Sequence, residues 1–300
     1  MRRVAVTGIG VVSPLGNDPI NCFATLRAGR SCIRGLNEKF CERLAMRAAA
    51  PVLFDGSAHF PPPKLRMLDR VSQFALVAAR QAVADSKIDF MQEDVQRTGV
   101  FLGTGMGGSQ TTDEGYQIIY AENSDHVKPF SVLMAMNNAA ASWIAIDHRL
   151  TGPNLTFSTA CSSSAVAIGE AWRRIREGDV DIMLAGGAEA PLTFGTLKAW
   201  EALRTLATDD PIDLSTSCKP FSKSRTGMVL GEGAAILMLE EWMHAVDRGA
   251  TIYAELVGYG LSTDSAHITR PTIEGQARAM QLALTSATVA PSAIHYMELR

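Results

Sequence analysis

The sequence is poor in cysteine. Five cysteines occur among 300 residues, and their spacing contains no Cys-x-x-Cys pair and no other pattern suited to zinc. They are Cys22, Cys32, Cys41, Cys161 and Cys218. A zinc ribbon and a small disulfide-stabilised scaffold are therefore excluded. So few cysteines are typical of a protein kept in a reducing, cytoplasmic setting.

Long apolar runs and an excess of one charge are also missing. Even the apolar stretch at residues 230–239 is interrupted by Glu232, so no transmembrane helix is predicted. The N-terminus reaches Gly8 too soon for the apolar core of a secretory signal peptide. A formal net charge of -3 gives no indication of nucleic-acid binding. With 47% hydrophobic and 20% charged residues, the chain can bury a sizeable core.

Short β-type runs alternate with helical patterns along the chain. Strands are predicted at residues 4–9, 99–104, 181–185, 234–239 and 252–257. Long helices are predicted at residues 68–85, 132–147 and 272–287, where apolar residues recur with helical spacing. This alternation predicts an α/β fold with a mainly parallel sheet.

A weak internal repeat links two distant parts of the chain. Residues 4–13 (VAVTGIGVVS) and 254–262 (AELVGYGLS) are both apolar strands that end in Gly-x-Gly and reach a serine shortly afterwards. The repeat predicts a fold made of two similar halves, the second beginning near Ile252. We therefore expect a first domain at residues 1–250 and a second at 251–300, with the first half complete and the second only partial.

One cysteine stands between a short β-rich run, residues 155–157, and a strongly helical run, residues 165–176. This order places the sulfur of Cys161 at a helix N-terminus, where backbone N–H groups and the helix dipole favour negative charge. A thiol in that position loses its proton more easily and becomes a better nucleophile. A buried structural cysteine is the alternative, and the local pattern does not separate the two.

A glycine-rich segment follows the strand predicted at residues 99–104. Gly103 to Gly108 read GTGMGG, which satisfies the Gly-x-Gly-x-x-Gly pattern of dinucleotide-binding folds. The polar residues 109–114 make a poor start for a helix packed on a sheet, and no strand ending in an acidic residue follows about twenty positions later. A tight loop, in which the backbone passes close to a ligand or another chain, is the favoured interpretation.

Several blocks of sequence, taken in order, resemble one family. They are VTGIGVVSPLG from Val6, STACSS from Ser158, LAGGAE from Leu184, CKPF from Cys218, GMVLGEGA from Gly227 and DSAHITRP from Asp264. The chain resembles the β-ketoacyl-acyl-carrier-protein synthases, or ketosynthases, of fatty-acid and polyketide assembly. The resemblance covers almost the whole chain and implies a thiolase-like α/β fold, layered α/β/α/β/α with mixed sheets.

The resemblance also implies a site. Cys161 would accept the acyl group, with its own backbone N–H as half of an oxyanion hole. Met106 would lie beside the acyl pocket, and Thr269 would belong to the substrate-binding residues. No cofactor and no metal are implied. The expected partner is acyl carrier protein, and the expected assembly is a homodimer or a ketosynthase heterodimer joined along residues 154–158, with the helices of residues 132–147 nearby.

The resemblance further implies a lysine and two histidines that decarboxylate a malonyl thioester. In the family they lie in His-Gly-Thr-x-Thr, a later lysine segment and Gly-Phe-Gly-Gly-x-Asn. The 300 residues contain none of these blocks, and Arg300 stands where the first histidine is expected. We therefore expect acylation of Cys161 without completed condensation from this chain, which would be either a fragment or a short relative.

Two glutamates and five histidines are further candidates for catalysis, but none of them is expected to take part in it. Glu189, Glu232 and His267 fall in family blocks, and buried carboxylates held by hydrogen bonds suit the two glutamates. His59, His126 and His244 are predicted to be surface residues, and His148 to lie at a helix end where a cation complements the dipole.

Two other functions stay open. A non-catalytic partner in a ketosynthase heterodimer would normally lack the cysteine, so Cys161 disfavours it, whereas Arg300 suggests some loss of chemistry. A nucleotide-binding oxidoreductase built on the glycine-rich segment is the weaker alternative. Thiol labelling separates the acyltransferase from both, and titration with NADH tests the oxidoreductase.

Overall fold

A computed structural model describes residues 1–298. The strands are β1 (Val4–Val12), β2 (Arg34–Gly35), β3 (Ala48–Ala49), β4 (Thr98–Gly103), β5 (Asn154–Phe157), β6 (Ile182–Glu189), β7 (Gly233–Glu241) and β8 (Ala254–Glu255). The α-helices are α1 (Pro19–Arg27), α2 (Pro62–Leu65), α3 (Arg70–Ser86), α4 (Ser109–Tyr116), α5 (Ser131–Ala135), α6 (Ala139–His148), α7 (Ser163–Glu177), α8 (Phe194–Ala202), α9 (Trp242–Asp247) and α10 (Ile273–Ala287).

Six strands form one mixed sheet in the order β5-β4-β6-β7-β1-β8. β4 runs parallel to β5 and β6, whereas β7 is antiparallel to both β6 and β1, and β8 is antiparallel to β1. The prediction of a mainly parallel sheet is therefore wrong. Residues 190–232 connect β6 to β7 and return the chain to the edge of the sheet at which β6 ends, since Glu189 pairs with Gly233. β7 therefore runs back beside β6.

Helices cover both faces of the sheet. Successive side chains of a strand point to opposite faces, and in β4 both sets of side chains are buried. Leu102 of β4 packs with Phe74 of α3 and Ile144 of α6 on one face. Phe101, the preceding residue, packs with Trp172 of α7 on the other. Burial on both faces explains why these strands read as continuous apolar runs in the sequence.

Helix packing on glycine recurs in the two halves of the predicted repeat. A Cβ at Gly10 would clash with the carbonyl oxygen of Ala78 in α3, and a Cβ at Gly260 would clash with the carbonyl oxygen of Ala279 in α10. Each helix can therefore approach its strand segment only because glycine stands there. Within the described residues the second segment contributes the short β8 and α10, and no second large sheet forms.

The predicted helix at 132–147 is two helices, which corrects the sequence interpretation. α5 ends where Met136 adopts an extended conformation, and α6 begins after Asn138. Asparagine is a poor residue for a helix interior because its side chain competes for backbone hydrogen bonds. Among residues 1–298, no helix combines the length and the apolar character that a membrane crossing requires.

Candidate active site

Cys161 is exposed in a one-turn 3-10 helix, Ala160–Ser162, that leads directly into α7. β5 ends only a few residues earlier, at Phe157. The predicted position at a helix N-terminus is thus confirmed, and a buried structural cysteine is excluded. The first backbone N–H groups of a helix have no partner within the helix, so they can stabilise negative charge at this end.

The turn that presents Cys161 is unusual in its backbone. Ala160 adopts a left-handed conformation, with φ of 52°, which is unfavourable for a residue with a side chain. The buried hydroxyl of Ser163 holds this turn, since it accepts a hydrogen bond from the Thr159 N–H at 2.8 Å and donates to the Ala160 carbonyl at 2.7 Å. The sequence indicated only that the neighbours of Cys161 are small, and it did not predict these hydrogen bonds of Ser163.

The glycine loop, residues 103–108, connects β4 to α4 at the same edge of the sheet. Glu189, the last residue of β6, directs its carboxylate into this loop and accepts hydrogen bonds from the N–H of Gly105 at 2.5 Å and of Met106 at 3.2 Å. These are backbone N–H groups of the kind that would bind a nucleotide phosphate. A carboxylate already occupies them, so the structure favours the tight-loop interpretation over dinucleotide binding.

The glycine loop is tied to the segment that carries Cys161. The N–H of Thr104 donates to the Phe157 carbonyl at 3.0 Å, and the hydroxyl of Ser158 donates to the Gly105 carbonyl at 3.3 Å. Met106 is the next residue of this loop, and its side chain is 47% exposed. The structure therefore brings Met106 and Cys161 onto two joined loops at one end of the parallel strands.

Thr269 lies in a different environment. It is exposed, and its N–H donates to Nδ1 of His267 at 3.1 Å. Among the described residues, no hydrogen bond joins Thr269 to the loops that carry Cys161 and Met106. Hydrogen bonds thus connect the loops of two of the three site residues expected from the sequence.

The described residues provide no metal site. No group of three or more histidine, cysteine, aspartate or glutamate side chains within residues 1–298 could hold a metal ion. The chemistry that the geometry supports is that of a thiol beside backbone N–H groups.

Residues 1–245 match the family model described as "Beta-ketoacyl synthase, N-terminal domain", and residues 253–300 match "Beta-ketoacyl synthase, C-terminal domain". The chain belongs to the β-ketoacyl synthase family. Among its relatives in this family is 3-oxoacyl-[acyl-carrier-protein] synthase 2 of Staphylococcus aureus (strain COL), 38% identical over 299 residues, which cover 99% of this chain and 72% of the relative. Nodulation protein E of Rhizobium meliloti is 37% identical over 296 residues, which cover 99% of this chain and 72% of that protein.

Solved β-ketoacyl synthase structures have the same fold. A β-ketoacyl synthase from Burkholderia phymatum superposes with a TM-score of 0.89 at 36% identity, over 99% of this chain and 73% of that one. A type II polyketide ketosynthase (AntDE), solved with its acyl-carrier protein AntF and bound to the hexaketide, superposes with a TM-score of 0.88 at 32% identity, over 98% and 72% of the two chains. The predicted thiolase-like α/β fold is confirmed.

In this β-ketoacyl synthase, two histidines differ from their sequence interpretation. His244 is not an isolated surface residue, since its ring nitrogens lie 2.7 Å from Glu240 and 2.9 Å from Glu93. His148 does end α6, but burial lowers its pKa, so a cation is disfavoured there. Arg300, which the resemblance places at a catalytic histidine, lies outside the described residues.

Both glutamates accept hydrogen bonds, as expected, and Glu232 is buried, whereas Glu189 is only half-buried. Glu232 accepts hydrogen bonds from Arg70 at 2.7 Å and from the Val52 N–H at 3.0 Å. Burial raises the pKa of Glu189, and its hydrogen bonds to Gly105, Met106 and Thr104 oppose that rise. The sequence could place both residues in family blocks, but it could not identify partners as distant along the chain as these.

Proposed function

We propose that this β-ketoacyl synthase is an acyltransferase in which Cys161 accepts an acyl group from a carrier-protein thioester and passes it to malonyl-acyl-carrier protein, in fatty-acid or polyketide biosynthesis. The exposed thiol of Cys161 in the turn that opens α7 is the observation that carries the proposal. Relatives named as 3-oxoacyl-[acyl-carrier-protein] synthase 2 support it. An accessible thiol disfavours the alternative of a non-catalytic partner subunit.

In the first half-reaction the Cys161 sulfur attacks the thioester carbonyl, whose oxygen takes the negative charge. Collapse of this intermediate expels the carrier thiolate, which takes up a proton, and leaves an acyl group on Cys161. The backbone N–H of Cys161 and the N-terminus of α7 are suited to stabilise the oxyanion. In the second half-reaction that the family resemblance implies, the malonyl carbon–carboxylate bond breaks, carbon dioxide leaves, and the released electron pair attacks the acyl carbonyl and displaces the Cys161 thiolate. The lysine and histidine blocks that would promote this decarboxylation are not among the 300 residues, so the proposal for this chain rests on the first half-reaction.

Two residues are proposed to bind substrate. The position of Met106, on a loop bonded to the segment of Cys161, supports a role beside the acyl chain. Thr269 is proposed from its place in the family block, and its exposure leaves its hydroxyl accessible to a substrate that extends to this loop.

A homodimer is proposed for the assembly, with a ketosynthase heterodimer as its alternative. β5 forms one edge of the sheet, and Leu155 on that strand is 47% exposed. Val132, Leu133 and Met136 are also exposed large apolar residues. An edge strand presents unsatisfied backbone groups that a second strand can pair with. Light scattering at micromolar concentration is expected to give the mass of a dimer, and a monomer would contradict the proposal.

We also propose that the chain divides into two halves near residue 250 and that the protein is cytoplasmic. The recurrence of helix-on-glycine packing at Gly10 and Gly260 supports two similar halves. The small number of cysteines supports a reducing compartment.

The decisive experiment is acylation of the purified chain. Incubation with an acyl-acyl-carrier protein, followed by intact-mass and peptide mass spectrometry, is expected to place one acyl group on Cys161. The matched control is Cys161→Ala, which should accept none. Cys218 is also exposed. The proposed function would be contradicted by acylation of Cys218 or by acylation that persists in Cys161→Ala.

A further inference from the structure

We infer that Glu189 is a positioning residue for acyl-chain selection: its carboxylate holds the glycine loop in the conformation that presents Met106 to the acyl group on Cys161. This inference rests on the proposed function and extends it to a residue that touches neither the thiol nor the substrate.

The carboxylate of Glu189 accepts several hydrogen bonds from the glycine loop. β6 and β4 are parallel neighbours, and the pairing of Gly103 with Gly187 brings the ends of both strands to one edge of the sheet. From there the carboxylate accepts from the Gly105 N–H, the Met106 N–H and the Thr104 hydroxyl, at 2.5, 3.2 and 3.4 Å. Three donors on consecutive residues therefore converge on one side chain.

The sequence of the loop fits this arrangement. A Cβ at Gly105 would lie 2.9 Å from Oε2 of Glu189, so a larger residue would push the carboxylate away. Gly107, with φ of 55°, lies in the left-handed region that favours glycine, and its N–H donates to the Thr104 hydroxyl at 3.2 Å. Residues 104–107 are thus fixed by hydrogen bonds on both sides of Met106.

The same loop continues to the nucleophile. The hydroxyl oxygen of Ser163, which holds the turn of Cys161, lies 3.5 Å from the Thr104 carbonyl oxygen, and Ser158 donates to the Gly105 carbonyl at 3.3 Å. Glu189 therefore lies at one end of a connected network whose other end is the Cys161 turn. Removal of the carboxylate leaves two loop N–H groups without their acceptor, and such groups seek new partners by moving the loop.

The test measures selectivity and thiol reactivity separately. Cys161 is acylated by butanoyl and dodecanoyl thioesters of N-acetylcysteamine, and the ratio of the two second-order rate constants is determined for wild type, Glu189→Gln and Glu189→Ala. Both variants are expected to change this ratio at least fivefold, while alkylation of Cys161 by iodoacetamide changes less than twofold. Glu232→Gln is the matched control, because Glu232 is another hydrogen-bonded carboxylate outside the glycine loop, and it should leave the ratio unchanged.

A double-mutant cycle with Met106→Ala identifies the route of the effect, since residues that act through one another are not additive. Glu189→Ala is expected to change the ratio little once Met106 is already alanine. An unchanged ratio in folded Glu189→Gln, an equal change in Glu232→Gln, or full additivity with Met106→Ala would each overturn the inference. A wild-type Cys161 that reacts with iodoacetamide but with no thioester would instead overturn the proposed function.

Discussion

The ring of Tyr259 occupies the space that a Cβ of Gly169 would fill. Gly169 lies within α7, the helix that begins just after Cys161, whereas Tyr259 belongs to the segment that follows β8. The guanidinium of Arg173, one turn further along α7, lies 5.0 Å from the centre of the same ring. The second half of the predicted repeat therefore packs directly against the helix that follows the nucleophile.

This contact predicts that Gly169→Ala lowers the free energy of unfolding when the Tyr259 ring is present and does not lower it when the ring is removed. Gly169→Ala should lower the free energy of unfolding by about 1 to 2 kcal/mol, because the cost of overpacking exceeds the gain in helix propensity. In a Tyr259→Ala background the same substitution should be neutral or stabilising by up to about 1 kcal/mol. Urea denaturation measures both values. Gly115→Ala in α4 is the control, since a Cβ there meets open space and should not destabilise. Equal effects of Gly169→Ala in the two backgrounds would contradict the packing.

The second prediction concerns the order of thiol reactivity. Cys161 should react with iodoacetamide several times faster than Cys218 at neutral pH, because it stands at a helix N-terminus amid small residues. Both side chains are exposed, so accessibility alone would predict equal labelling. Substoichiometric labelling followed by peptide mass spectrometry gives the ratio. Faster labelling of Cys218 would argue against Cys161 as nucleophile.

The third prediction concerns Met106. A flexible thioether beside the acyl chain limits the length that can be accommodated. Met106→Ala should therefore shift acylation of Cys161 towards longer acyl thioesters, and Met106→Trp towards shorter ones, by roughly the ten- to two-hundredfold that one methylene group in a hydrophobic pocket can contribute. Met91→Ala is the control, because Met91 is an exposed methionine outside the glycine loop. An unchanged length profile in a folded, acylatable Met106→Ala would remove this residue from the pocket.

Much of the fold could be predicted because its signals are local. The buried strands read as apolar runs, and the stripe at Val71, Ala75 and Ala82 predicted α3 to within two residues of its ends. The position of Cys161 followed from the same local change of pattern, from β-rich to helical. Each of these predictions depends on residues adjacent in sequence.

What sequence reasoning missed depends on contacts between distant residues. The break between α5 and α6 brings Asn137 against Gly107, thirty positions earlier, and no periodicity records that contact. The antiparallel β7 follows from the path of a long connection. The role of Glu189 was equally hidden, because its hydrogen bonds reach Gly105 across 84 positions. A glycine pattern alone could not distinguish a bound phosphate from a bound carboxylate.

The last prediction concerns stability and pH through His244. Its ring lies between the carboxylates of Glu240 and Glu93, while Arg248 and Thr7 also bond to Glu240, at 2.6 Å each. Burial opposes the charged imidazole, but the hydrogen bond to Glu240 and the charge of Glu93 outweigh it and raise the pKa of His244. The folded state therefore binds this proton more tightly than the unfolded chain does.

The stabilisation from His244 should be complete below the ordinary histidine pKa of about 6.5 and should be lost as pH rises through the raised value of the folded protein. Urea denaturation from pH 5.5 to 8.5 is expected to show wild type exceeding His244→Asn in free energy of unfolding at low pH, with the difference shrinking at high pH. His126→Asn is the control, because His126 is exposed and should give no pH-dependent difference. A difference between wild type and His244→Asn that grows with pH would mean that the folded protein holds the imidazole neutral, and it would reverse the assignment of charge in this cluster.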